Sequence, residues 1–166
     1  MNYHNITKDD MLNGDGLRVV LWVSGCTHHC HNCQNPITWD IAGGLPFDEN
    51  AEKELFEALA KPHCSGITFS GGDPMEQASS CAELAKYCKK LGLNVWCYTG
   101  YTYEQLIVMS KSNKHIMEFL QANSFKDKQC DGILGCFEHE YTKDGVYYMD
   151  IYVHAASVTK TDGYSM

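Results

Sequence analysis

Along the chain, short and nearly continuous apolar runs alternate with longer stretches in which apolar positions return every three or four residues. The run Leu17-Arg18-Val19-Val20-Leu21-Trp22-Val23, bounded by Gly16 and Ser24-Gly25, predicts a buried strand. Gly66-Ile67-Thr68-Phe69-Ser70 and Leu93-Asn94-Val95-Trp96-Cys97-Tyr98-Thr99 predict two more, the latter closed by Gly100. Between the first two, Asp48 is placed to cap a helix running to about Ala60, with Ala51, Leu55, Phe56, Ala58 and Leu59 on one face and Pro62 just beyond its end. Between the second and third, Cys81, Leu84, Ala85, Cys88 and Leu91 keep helical spacing up to Gly92. Further on, the pattern predicts helices over 103–111 and 115–122, strands over 132–137 and 146–153, and a loose tail from Thr159 to Met166.

Strand, helix, strand, helix, strand is the alternation of an α/β protein whose parallel strands are joined by helical crossovers. In such a sheet the loops leaving the carboxyl ends of the strands share one rim, where ligands gather. That rim would carry the segment Ser24 to Asn35, the turn Gly71-Gly72-Asp73-Pro74 and Thr99-Gly100-Tyr101. With 166 residues the chain is too short for an eight-stranded barrel of ordinary size. The expected architecture is therefore a partial, open (β/α) barrel with a mostly parallel sheet, forming a single domain over residues 1–158.

Charge and composition narrow the function classes. A net charge of -8 and the absence of any basic stripe argue against a nucleic-acid partner. The start Met1-Asn2-Tyr3-His4-Asn5 has no secretory pattern and no apolar run reaches membrane-spanning length, so the expectation is a soluble, cytoplasmic protein with no membrane partner. Nine cysteines, an odd number, then read as free thiols or metal ligands, not as a disulfide framework.

Three of those cysteines, Cys26, Cys30 and Cys33, lie in one short loop. Such a density of thiolates suits soft metal. On a 4Fe-4S cube, three ligands leave one iron open for a non-protein group. A structural zinc site, with His28, His29 or His31 as fourth ligand, is the other reading; zinc shells usually come as separated pairs, and spacing favours iron-sulfur. Gly71 and Gly72 are either a plain tight turn or a place where the backbone closely approaches a ligand. Arg18, a charge in an apolar strand, needs a partner, either a bound carboxylate or Asp15. Trp39, Trp96 and Tyr98 are candidates for stacking on an adenine or for plain core packing, and core is the commoner fate. Cys81 and Cys88 sit on an apolar helix face and read as core, as do Cys64 and Cys97; Cys130 and Cys136 have no neighbouring ligand to complete a second site. No hydrolytic triad, phosphate loop or acid-base pair stands out, and the acids between Glu52 and Glu57 read as a solvated helix face.

Cys26-x3-Cys30-x2-Cys33 matches the cluster motif of radical S-adenosylmethionine enzymes. Together with Asn13-Gly14-Asp15-Gly16-Leu17-Arg18, Val23-Ser24-Gly25-Cys26, Thr38-Trp39, Ser70-Gly71-Gly72-Asp73-Pro74 and Trp96-Cys97-Tyr98-Thr99-Gly100-Tyr101, the chain resembles the activating proteins of anaerobic ribonucleoside-triphosphate reductases over roughly its first two-thirds. The resemblance implies a 4Fe-4S cluster on Cys26, Cys30 and Cys33, with S-adenosylmethionine on the open iron. Asn32, Cys33, Gln34, Gly71, Gly72 and Asp73 would line the cofactor. It implies cleavage of that cofactor by one electron from a flavodoxin-like donor, and a 5'-deoxyadenosyl radical that takes hydrogen from a glycine of the reductase. No further catalytic side chain is then required, because the radical chemistry belongs to the cofactor. Other small radical S-adenosylmethionine enzymes, such as activases of different glycyl radical enzymes or deazaguanine synthases, share this cofactor and differ in substrate.

Overall fold

The computed structural model describes residues 1–122 and, beyond them, the strand segments Ile133–Gly135, His139–Lys143, Val146–Asp150 and Val153–His154. In chain order the elements are β1 (Asn2–Asp10), β2 (Arg18–Val23), β3 (Leu45–Pro46), α1 (Glu49–Leu59), β4 (Gly66–Gly71), α2 (Ala78–Lys90), β5 (Asn94–Thr99), α3 (Tyr103–Ser110), α4 (Lys114–Ala122), β6 (Ile133–Gly135), β7 (His139–Lys143), β8 (Val146–Asp150) and β9 (Val153–His154). Short 3-10 turns at Pro36–Thr38 and Pro74–Gln77 lie in the rim loops.

The centre of the sheet follows the sequence pattern. β2, β4, β5 and β6 pair in parallel and in chain order, as successive right-sized crossovers demand. The register runs from Arg18 opposite Gly66 to Val23 opposite Gly71, and Phe69 lies opposite Cys97. The carboxyl ends of these strands are therefore level, and their loops meet on one rim. Helix α1 begins where expected: the Asp48 side chain accepts from the amides of Asn50 and Ala51, each at 3.0 Å. Helix α2 is followed by Gly92 at φ +76°, a left-handed residue that ends it.

One face of the sheet carries the core. Val19, Leu21, Val23, Ile67, Phe69, Val95 and Cys97 pack with Leu55 and Leu59 of α1, with Cys81, Ala85 and Cys88 of α2, and with Ile116 and Phe119 of α4. Phe69 and Phe119 meet edge to face with ring centroids 5.8 Å apart. Cys81 and Cys88 are buried here, as the helix-face reading expected, and so is Cys97 within β5.

The edges differ from expectation. The full order is β3-β1-β2-β4-β5-β6-β9, an open sheet in which β1 with β2, β1 with β3, and β6 with β9 are antiparallel. It is a mixed sheet, not a mostly parallel one. β1 escaped sequence reading because its buried residues, Tyr3 and Ile6, are three apart: the register slips between Tyr3 and Asn5, which breaks the period of two. The stretch 146–153 forms two strands, β8 in a hairpin with β7 and β9 on β6. Cys130, Cys136 and the tail Thr159 to Met166 lie outside the described residues. Among the described residues no helix is long and apolar enough to cross a membrane.

Candidate metal centre and cofactor rim

Strand β2 leads directly into the cysteine loop, and the loop is tied down before and after the cysteines. Gly25 N–H donates to Thr38 O at 2.8 Å and Cys26 N–H to Trp39 O at 3.0 Å, closing the base of the loop. Inside it, His29 (φ +46°) and Asn32 (φ +57°) adopt left-handed conformations that coil the chain, and Cys33 N–H donates to Cys30 O at 3.2 Å. The three thiols are half-buried and free of disulfides. The Asn35 amide donates to Cys33 Sγ at 3.4 Å, and the amides of His28 and His29 point at the Cys26 sulfur. Burial pushes the Cys26 thiol up; these amides pull it part of the way back. Amide donors aimed at sulfur are the environment in which proteins hold and tune iron-sulfur clusters.

The donor set fits that group. Among the described residues no three Cys, His, Asp or Glu side chains converge on a single-ion position. A 4Fe-4S cube takes its thiolates at separate corners and does not require them to meet at one point.

The second loop explains its glycines. Gly71, at φ +103°, sits where a Cβ would meet the Val23 backbone 2.7 Å away, and a Cβ on Gly72 would collide with Gly25 O. Gly72 N–H donates to Val23 O at 2.8 Å and Asp73 N–H to Gly25 O at 2.7 Å. Close backbone approach is thus real, and its nearest beneficiary is the root of the cysteine loop.

Asp73 is the hub of the rim, with only 2% of its surface exposed. Its Oδ1 accepts from Met75 N–H at 2.9 Å and from the Thr99 hydroxyl at 3.0 Å. Its Oδ2 accepts from Gly100 N–H at 2.8 Å and from His28 Nε2 at 2.8 Å, and lies 2.9 Å from Thr99 Oγ1. One carboxylate therefore joins the cysteine loop, the Gly-Gly turn and the end of β5. The neighbouring carboxylate raises the His28 imidazole above its ordinary value, partly opposed by burial. The His28 ring also packs edge to face on Tyr101, with centroids 4.5 Å apart. Outside this hub, Thr27 Oγ1 donates to Glu76 Oε1 at 2.7 Å, and Gln77 Nε2 donates to Asn2 O at 2.7 Å and Ser24 O at 2.8 Å.

The structure thus brings Cys26, Cys30 and Cys33 onto one loop beside Gly71, Gly72 and Asp73, with Asn32 and Gln34 exposed on the same loop. Sequence reasoning treated His28 only as a zinc ligand and passed over Gln77. The one signal for His28 was a carboxylate on the rim in need of donors, and Gln77, which bonds to the backbone of Asn2 and Ser24, had none. Trp39 packs edge to face on His29 at 4.6 Å, and Trp96 lies under Arg18, 5.5 Å from ring centre to guanidinium carbon. Arg18 was expected to salt-bridge to Asp15, and what the structure shows is Nη1 donating to the Asp15 backbone carbonyl at 2.6 Å.

Comparison with known proteins agrees with this chemistry. The family model described as "4Fe-4S single cluster domain" matches residues 12–144. The anaerobic ribonucleoside-triphosphate reductase-activating protein of Enterobacteria phage T4 is 38% identical over 110 residues, covering 64% of this chain and 70% of the relative. The protein of the same name from Escherichia coli is 34% identical over 113 residues, covering 64% and 73%. That of Vibrio cholerae is 32% identical over 137 residues, covering 79% and 88%. The chain belongs to the 4Fe-4S single cluster domain family and, within it, to the anaerobic ribonucleoside-triphosphate reductase-activating proteins.

Proposed function

We propose that this protein is the enzyme that activates an anaerobic ribonucleoside-triphosphate reductase by generating a glycyl radical on it. The observation that carries the reading is a cysteine triplet held at the carboxyl ends of the central parallel strands, in a chain whose relatives are named as activating proteins of that reductase. Held by Cys26, Cys30 and Cys33, the cluster would supply the one-electron chemistry on S-adenosylmethionine that making a glycyl radical on the reductase requires.

The chain's own residues hold and shield. Cys26, Cys30 and Cys33 would ligate three irons and leave the fourth to the cofactor. Asn32, Cys33, Gln34 and the Gly71-Gly72 backbone would line the methionine end. Asp73, expected among the cofactor contacts, serves by holding the three rim loops together, its oxygens being engaged by Met75, Thr99, Gly100 and His28. No general acid or base is needed, and the work of the rim is to exclude water and competing hydrogen donors. The parallel run β2-β4-β5-β6 is the arc of a partial barrel whose open side admits the glycine-bearing segment of a large protein substrate. A flavodoxin-like protein supplies the electron, and the setting is the cytoplasm.

The test is anaerobic. Reconstituted, reduced protein is mixed with S-adenosylmethionine and the reductase, and the glycyl radical is sought by electron paramagnetic resonance. A spectrum without it, from protein whose cluster is intact and reducible, overturns the assignment of target. Zinc at one equivalent without iron or sulfide would overturn the assignment of metal.

A further inference from the structure

We propose that His28 is a positioning residue that latches the cysteine loop onto the ends of β4 and β5. The loop is long and polar, and its base is secured by the backbone bonds of Gly25 and Cys26. Between Cys26 and Cys30, the first two of the three thiols, the side chain that reaches back to the sheet with a hydrogen bond to a buried group is that of His28. It donates Nε2–H to the Asp73 carboxylate, which can only accept.

The receiving surface is shaped for an imidazole. Asp73 is fixed by Met75 N–H, Gly100 N–H and the Thr99 hydroxyl, so its Oδ2 has a defined direction. Gly100 leaves space for the ring: a Cβ there would lie 2.5 Å from His28 Nε2. Tyr101 closes the far side with its edge-to-face contact. Three consecutive rim residues, Thr99, Gly100 and Tyr101, thus serve as the socket for a side chain that stands two positions after the first thiol and two before the second. Fixing that point fixes the relative placement of Cys26 and Cys30 before any metal arrives. Ligands set in place in advance lose less freedom on binding.

This inference rests on the reading that the loop holds the cluster, and its test separates the two. In the metal-free full chain, amide hydrogen exchange is measured at Cys26, Asp73 and Gly100 for wild type, His28→Ala, His28→Phe and His28→Gln. Loss of a hydrogen bond to a charged group should speed local exchange roughly ten-fold or more in the Ala and Phe variants. Gln, whose amide can reach Asp73, should restore most of the protection although it lacks the ring. In reconstituted protein, iron and sulfide content should stay at the wild-type level in every variant. The reduced-cluster electron paramagnetic resonance signal and the midpoint potential should move in Ala and Phe and return toward wild type in Gln.

Unchanged exchange and an unchanged signal in the Ala variant would overturn the latch, as would equal effects of Phe and Gln. If His28→Ala does not fold, Gly100→Ala displaces the ring from the opposite side, and it must reproduce the same changes or the proposal fails. Wild type that takes up no iron would instead count against the cluster reading and leave the exchange result to stand by itself.

Discussion

The two ends of the same parallel strands are built for opposite purposes. At the amino-terminal end, Arg18 is fully buried and its guanidinium is consumed by protein: Nε donates to Thr68 Oγ1 at 2.6 Å, and Nη2 to Ile67 O at 2.9 Å and Asn94 Oδ1 at 2.8 Å. The Thr68 hydroxyl donates in turn to Asn13 O at 2.6 Å, so the loop before β2 is stitched to the sheet as well. At the carboxyl end the backbone and Asp73 are equally well satisfied, yet three thiols remain half-buried without a covalent partner. Both ends place a charged group in the interior. At one it ties the loop before β2 to the sheet, and at the other it ties the cysteine loop to the end of β5. The lesson is that burial and saturation of a charge mark the scaffold, while the half-buried thiols on the rim are the groups suited to soft metal.

If that division is right, changes at one end should move stability and changes at the other should move metal chemistry. The largest effect belongs to the loop: Cys26→Ala, Cys30→Ala or Cys33→Ala should each abolish S-adenosylmethionine cleavage, measured as 5'-deoxyadenosine released under reduction, with little change in the thermal unfolding of the metal-free chain. Cys81→Ala should retain cleavage, and loss in that variant equal to loss in the other three would contradict the ligand assignment. Next comes Arg18→Ala, which strands two carbonyls, Thr68 and Asn94 in the interior and should cost about 3 kcal/mol or more in urea unfolding. The folded fraction should still take up iron, and failure to do so would break the separation of the two ends.

Asp73→Asn should fall between them. An amide cannot accept from Met75 N–H and from Gly100 N–H with both of its ends, so one donor is left unanswered, at about 1–3 kcal/mol. It should lower both stability and cluster occupancy, the latter read by iron analysis.

The smallest effect concerns the core thiols. Burial pushes Cys88 up to about 12, above the ordinary thiol range, and Cys97 is also raised by burial. The folded state then keeps protons that the unfolded state loses above about pH 8.5, so stability falls as pH rises from there. Cys88→Ala should flatten the alkaline limb of an unfolding-against-pH curve, and an unchanged slope would show that this thiol is not held neutral by the core. On the same ground a thiol reagent at pH 8 should label the native metal-free chain at Cys26, Cys30 and Cys33 ahead of Cys81, Cys88 and Cys97.

What was legible in the sequence was whatever depends on neighbours along the chain. The continuous apolar runs of β2 and β4, the Asp48 cap, the Gly92 stop and the spacing of Cys26, Cys30 and Cys33 are local facts, each with a local physical cause. They determined the central parallel strands, the helices that cover them, and the rim on which the thiols stand. β1 was decided by tertiary structure, because it survives on pairing with β2 and β3 and not on a hydrophobic period of its own. So was the role of Asp73. Forty-five residues separate it from His28 and twenty-six from Thr99, and only folding shows that its carboxylate faces inward to both. A sequence states which groups exist and how they are spaced. Which donor answers a buried charge depends on distances in space, and these are set by how the strands stack side by side.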